Sequence, residues 1–269
     1  NIAVRKLKER RIHHIFEMAH HGAVTCLAVS TNSRFMVSGS TDKSIGFWGI
    51  EEKKCVFRFE DAHKETISVV AITEDQKFVI SGCVEGIISV WDLDSRAFAY
   101  QFDYGHTYPI TSLVISDSLK LVISADSNSI TLWSLTSKKF VHRLDRAHTK
   151  EIISLAIDSK SKFIVSGAKD NSIAIWPINR PKRPIHRFTS AHSSDVTTVA
   201  ITEDGKHILS GSLDGSLALF NISKKKLVQR FDDVQNAEIT AIAVKTAKPT
   251  LMVGVGAKDS SLGIWRIDY

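Results

Sequence analysis

The sequence predicts an all-β protein, a β-propeller of four-stranded antiparallel blades, and three recurrences within its 269 residues carry that prediction. Trp48, Trp91, Trp133, Trp176 and Trp265 stand 43, 42, 43 and 89 residues apart, with Phe220 dividing the last gap. His20, His63, His106, His148 and His192 keep a parallel spacing of 43, 43, 42 and 44. Each of these histidines precedes a serine by 18 residues: Ser38, Ser81, Ser124, Ser166 and Ser210. An interval held five times inside one chain reflects geometry, and a period of about 43 residues is the length of one propeller blade.

Between these markers each unit reads as short strands. In the fifth, Val196 to Ile201 is followed by the turn Glu203-Asp204-Gly205, then by His207 to Ser210, a turn from Gly211 to Gly215, and Ser216 to Phe220. Period-two alternation rich in β-branched residues and bounded by Asp-Gly signals is the mark of hairpins. A fourth strand follows each Trp position, at Cys55–Phe59, Phe140–Leu144, Ile185–Phe188 and Leu227–Phe231. Four strands make a blade, and such blades close into a ring. The repeats span 19–61, 62–104, 105–146, 147–190, 191–233 and 234–269, and 1–18 supplies the end of a preceding blade and an outer strand. The phase of the termini is informative. Arg5 lies 15 residues before His20, as Trp48 lies before His63, so Ile2–Arg5 falls at a third-strand position, where the last residues also fall. One blade cannot hold both stretches. Six repeats are visible, and the expectation is a seven-bladed ring of which this sequence, without an initiator Met, is a stretch. Closure at six would need residues 1–9 displaced and Ile12–Phe16 recruited as the missing outer strand.

The stretch His148, Ile152, Ser166-Gly167-Ala168-Lys169-Asp170, Ile175-Trp176 resembles the WD-repeat β-propellers, and the resemblance runs in phase over essentially the whole chain. It also has departures. The Trp-Asp pair itself occurs only at Trp91-Asp92, the third unit is one residue short between Ser124 and Trp133, and Gln235 takes the His position of the sixth. Repeated His, Ser and Asp suggest a hydrolase, but nucleophilic catalysis needs one convergent set in one pocket. Here the set recurs: His20, Ser38, Asp42 and Trp48; His63, Ser81, Glu85 and Trp91; His148, Ser166, Asp170 and Trp176; and His192, Ser210 and Asp214 with Phe220 for Trp. The resemblance implies structural tetrads, a hydrogen-bond chain from turn carboxylate through His and Ser to the indole. On that reading Asp126 or Asn128 of the short third unit matters less than Asp170.

Composition excludes several classes. With 43% hydrophobic and 24% charged residues the chain can fill a core. Cys26, Cys55 and Cys83 are odd in number and scattered, which indicates neither a disulfide framework nor a zinc site and suits a reducing compartment. No apolar run reaches the roughly 18–20 residues that span a bilayer. No phosphate loop, HExxH, CxxC or EF-hand pattern is present. His13-His14 and His20-His21 lack an accompanying carboxylate or Cys cluster, so they read as turn or rim histidines. No cofactor, metal or catalytic residue is expected.

The net charge is +6, and 20 of the 35 Lys and Arg fall in the connection after a Trp position or in the fourth strand, among them Lys53, Lys54, Arg58, Lys138, Lys139, Arg143, Arg180, Arg187, Lys224, Lys225, Lys226 and Arg230, together with Lys6, Lys8, Arg10 and Arg11 near the N-terminus. The fourth strand is outermost, where Lys and Arg block edge-to-edge aggregation. The functional alternative is a belt for polyanions, an acidic filament or a membrane surface. On the opposite, narrow face the register places Thr25, Thr41, Thr66, Ser68, Thr111, Glu151, Lys169, Asp195, Thr197, Glu238, Thr240 and Lys258, and the resemblance places most partner binding there. The set has no Arg or aromatic residue, which disfavours phosphopeptide and nucleic-acid readers. The expected function is a non-catalytic protein-interaction scaffold, binding proteins or peptides in the cytoplasm or on the cytoskeleton as a module of a larger intracellular assembly.

Overall fold

The computed structural model describes residues 1–6, 11–102, 106–179, 181–232, 234, 237–247 and 250–268. Every regular element is a strand. β1 (Ile2–Lys6) and β2 (Arg11–Phe16) form a two-stranded sheet. The first blade is β3 (Val24–Val29), β4 (Phe35–Ser40), β5 (Ile45–Gly49) and β6 (Lys54–Phe59). The second is β7 (Ile67–Ile72), β8 (Phe78–Cys83), β9 (Ile88–Asp92) and β10 (Ala97–Gln101). The third is β11 (Ser112–Ser116), β12 (Leu121–Ala125), β13 (Ile130–Ser134) and β14 (Lys139–Leu144). The fourth is β15 (Ile152–Ile157), β16 (Phe163–Ala168), β17 (Ile173–Pro177) and β18 (His186–Phe188). The fifth is β19 (Val196–Ile201), β20 (His207–Ser212), β21 (Leu217–Asn221) and β22 (Lys226–Phe231). β23 (Ile239–Ala247), β24 (Thr250–Ala257) and β25 (Leu262–Asp268) make a sixth blade of three strands. Within each sheet consecutive strands pair antiparallel, as short hairpin connections allow.

The core is divided between blades. Val37, Ile45, Ile67 and Val79 seal the first blade against the second, and Leu209, Leu217, Ile239 and Val253 seal the fifth against the sixth. Middle strands such as β16 and β17 are buried on both faces because each lies between two neighbouring blades, so they read as near-continuous apolar runs. Each fully buried Ile, Leu or Val contributes about 1.5–3 kcal/mol. The glycine after the tetrad serine is what lets blades approach: a Cβ on Gly167 would sit 2.7 Å from Val196 Cγ1 of the next blade.

The array is open at its two ends. β1–β2 covers the outer half of the first blade, where Ile2 and Phe16 bury against Met36 and Trp48. It leaves Leu27, opposite Ser38, 50% exposed, whereas the residues in that position of later blades, Val70, Leu113, Leu155 and Val199, are 5–6% exposed. At the other end Leu262 and Ile264 are 53% and 45% exposed, against 1% and 0% for Leu217 and Leu219 one repeat earlier. β2 pairs with β1 alone and is not the outer strand of the last blade, so residues 2–6 and 262–268 occupy separate sheets. A seventh complete blade is not formed by the described residues.

Candidate functional site

Each tetrad begins with a histidine in the connection from one blade's outer strand to the next blade's inner strand. In the fourth blade His148 Nε2 lies 2.7 Å from Ser166 Oγ, and Trp176 Nε1–H donates to the same oxygen at 2.8 Å. An indole can only donate, so the serine oxygen accepts from it and gives its own proton to Nε2. The imidazole proton is thereby assigned to Nδ1, which faces Asp170 at 3.1 Å. The carboxylate also accepts from the Ser172 and Thr149 backbone N–H groups and the Ser172 hydroxyl. The first blade repeats this with His20, Ser38, Trp48 and Asp42. The fifth keeps His192–Ser210 at 2.7 Å, and Ser216 Oγ at 2.8 Å and Asp214 at 3.6 Å face Nδ1.

Burial sets the protonation. It lowers the pKa of His148, which Asp170 only partly offsets, and it lowers His63 and His192 to about 4, so these rings are neutral at pH 7. Burial alone would raise Asp170, but the hydrogen bonds from His148 and Ser172 outweigh it and hold the carboxyl far below its ordinary range. The order Asp, His, Ser is that of a hydrolytic triad, yet Ser38, Ser81, Ser124, Ser166 and Ser210 are all 0% exposed. A cavity of about 320 Å³ beside the fourth tetrad is lined by His148, Asp170 and Arg187 and does not reach Ser166. The set can stiffen a blade, and it offers no nucleophile to a substrate.

Two blades differ from the sequence reading. The third, one residue short, still brings a carboxylate to its histidine: Asp126 is fully buried, 2.9 Å from His106 Nδ1 and 3.3 Å from Arg143, with Ser124 joining His106 and Trp133. The His106–Asp126 approach is a close contact and not an aligned hydrogen bond. In the second blade Glu85 keeps the spacing of the turn acid but is exposed and makes no hydrogen bond to His63. In the sixth blade Val255 stands at the serine position and Trp265 is 41% exposed, while Gln235 lies outside the described residues.

Sequence reasoning missed a fifth member. Arg58, Arg143, Arg187 and Arg230 turn from the outer strands toward their tetrads: Arg58 and Arg187 each donate to a backbone carbonyl, Ala19 and Ala147, and lie over the faces of Trp48 and Trp176 at 5.8 and 5.7 Å. Arg143 and Arg230 reach Asp126 and Asp214. The signal was available, for Arg follows the aromatic position by 10 or 11 residues in four repeats and is Gln101 in the second. These four arginines are therefore spent inside the blades and subtract from the basic belt; Lys8, Arg10 and Arg180 of that belt lie outside the described residues.

On the narrow face most of the candidate hydroxyls hold the frame together. Thr25 donates to Gly39 O and to Ile67 O of the next blade, Ser68 to Gly82 O and Ile110 O, and Thr197 to Gly211 O and Ile239 O. Thr111 and Thr240 reach Ala125 O and Gly256 O of their own blades, Thr41 Oγ1 accepts from Ala23 N–H, and the Thr66 carbonyl accepts from Val84. What is displayed is charge: Lys169 Nζ lies 2.5 Å from Glu151, Lys258 lies 2.8 Å from Glu238, and Asp195 and Glu151 together raise the Lys169 pKa, the Glu151 hydrogen bond most. Among the described residues no cluster of three or more His, Cys, Asp or Glu could hold a metal ion.

The family model described as the nucleolar protein 10-like N-terminal domain matches residues 6–180, more than half of the chain, and the model of the WD domain, G-beta repeat, matches residues 182–221. Human Striatin-4 is 51% identical over 39 residues, 14% of this chain and 5% of that protein. Rat WD repeat-containing protein 18 is 46% identical over 37 residues, 14% of this chain and 9% of that protein. The match spans less than a tenth of either relative's length.

Proposed function

The chain belongs to the nucleolar protein 10-like N-terminal-domain family of WD-repeat propellers, and on that premise we propose that it is a non-catalytic scaffold that binds other proteins or peptides on its narrow face. One observation carries the proposal: the tetrad residues are enclosed and hydrogen-bonded within blades, whereas Glu151, Lys169, Asp195 and Glu238 are half-exposed and Lys258 is exposed on blades four to six. Such a mixed-charge surface selects partners by complementarity more than by hydrophobic area. The test is affinity purification of the full-length protein beside a Lys169→Glu, Glu238→Lys variant. Loss of specific co-purifying proteins supports the face; an unchanged set refutes it.

The belt reading for an acidic filament or polyanion is weakened by the four arginines turned inward, and steep salt dependence of binding would restore it. The name of the family speaks of a nucleolar protein; extended to this chain as a proposal, it puts the propeller inside the cell and in the nucleolus, not the cytoplasm. We also propose a seven-bladed ring. The exposure of Leu27, Leu262 and Ile264, and the open space around Gly256, where the nearest contact to an added Cβ is 3.8 Å, support a neighbour at each end. Hydrogen exchange in the full-length protein should then protect β3 and β25 as strongly as β7 and β21; rapid exchange at both would remove the seventh blade.

A further inference from the structure

The second blade carries a groove on the side it turns toward the third. Between the first and second blades Phe35, Phe47 and Phe57 stack with centroids 5.0 and 4.8 Å apart, and Arg96 caps Phe57 at 5.2 Å. One repeat later the same positions hold Phe78, Val90 and Tyr100, with Lys138 over Tyr100 at 4.8 Å. At the middle position only the first blade has a phenyl ring; Val90 here corresponds to the buried Leu132, Ile175 and Leu219 of the later blades. A groove of about 490 Å³ opens here, its floor made by Phe78, Ala99, Tyr100 and Leu135. That volume is within the range of about 300–1,000 Å³ typical of ligand sites.

The outer strand at the groove, β10, is Ala97-Phe-Ala-Tyr-Gln101 and has no charged residue, whereas β6, β14 and β22 each begin with a lysine. An outer strand without charge lacks the usual protection of a sheet edge. The rim is basic on balance. Lys120 lies 3.9 Å from Asp75, but Lys77 and Lys138 have no carboxylate within ion-pair distance among the described residues.

We propose that this groove docks an extended acidic peptide segment of a partner protein, with one aliphatic or aromatic side chain entering over Phe78, Tyr100 and Leu135 and flanking carboxylates meeting Lys77 and Lys138. An apolar floor ringed by lysines fits that chemistry. A continuous phosphate backbone fits less well, because the apolar floor offers it nothing. The proposal rests on the scaffold reading only in assigning the partner to proteins; it concerns another surface, so the narrow-face test and this one can fail separately.

The experiment is fluorescence anisotropy of the labelled hexapeptide Glu-Asp-Leu-Phe-Asp-Glu, with Lys-Lys-Leu-Phe-Lys-Lys and a uridine hexanucleotide as comparisons, at low salt. The acidic peptide should bind best. Lys138→Glu, which reverses a rim charge, and Ala99→Trp, which fills the groove from an exposed position, should each weaken it at least tenfold while the melting temperature stays within a few degrees of the parent. No binding of the acidic peptide, equal binding by both variants, or tighter binding of the basic peptide or the RNA would overturn the proposal.

Discussion

Replacing Asp126 by alanine removes a carboxylate that is fully buried and faces three donors. His106 Nδ1 is 2.9 Å away, Arg143 Nη2 is 3.3 Å away, and the Ser129 backbone N–H donates at 3.1 Å. Arg143 is partly exposed and also holds Asp145 at 2.8 Å, so it can turn outward. His106 and the Ser129 N–H have no such exit. The buried Ser129 N–H left without its partner costs about 1–3 kcal/mol. Asp126→Ala should therefore destabilise by about 1–3 kcal/mol. Glu85→Ala, at a matching spacing but on an exposed side chain, should stay within about 0.5 kcal/mol. The assay is urea unfolding at pH 7 followed by tryptophan fluorescence, since Trp133 is 1% exposed and shares Ser124 with His106. If Asp126→Ala and Glu85→Ala shift the midpoint equally, the account of the third blade is wrong.

Three further outcomes follow from the same geometry. His63 and His192 are lowered to about 4 by burial, so between pH 6.5 and 4 the unfolded chain binds more protons than the folded one; stability must fall as pH drops through that window, by roughly 2 kcal/mol per histidine between pH 7 and 5, and urea midpoints at the two pH values measure it. The lowered Asp170 and Asp214 act in the same direction at lower pH, because their protonation is resisted only in the folded state. Gly167→Ala should cost about 1–3 kcal/mol through the contact with Val196, whereas Gly256→Ala in the isolated chain should be nearly neutral; equal melting shifts would contradict the packing described at the open end. Arg187→Lys should lose both the bond to Ala147 O and the planar stacking on Trp176 and lower stability by about 1–2 kcal/mol, read as a urea midpoint.

The six repeats and their strand order were legible in the sequence because they depend on intervals, and intervals survive in one dimension. Role is a matter of reach, and here the intervals misled in both directions. Glu85 sits four residues after Ser81, as Asp42 does after Ser38, yet its side chain stays in solvent. Asp126 sits only two residues after Ser124 and does the work, because the shortened turn carries the carboxylate inward. Arg58 and its counterparts were counted as edge charge since nothing local says that a residue on an outer strand folds back over an indole. The narrow-face hydroxyls were legible as positions but not as bonds: Thr25 and Ile67 are 42 residues apart, and only the placement of adjacent blades joins them.

Those cross-blade bonds determine how force travels through the molecule. Thr25, Ser68 and Thr197 tie carbonyls of the following blade, and Ser112 and Ser154 receive the N–H groups of Leu155 and Val199. The inner strands thus form a hydrogen-bonded hub in which strain at one blade reaches the next through main chain, not through compressible side-chain contact. A partner pulling on one sector displaces its neighbours almost as a unit. Two partners held on separate blades keep a fixed angle to one another, with slack where the described hub ends, between β23 and β3.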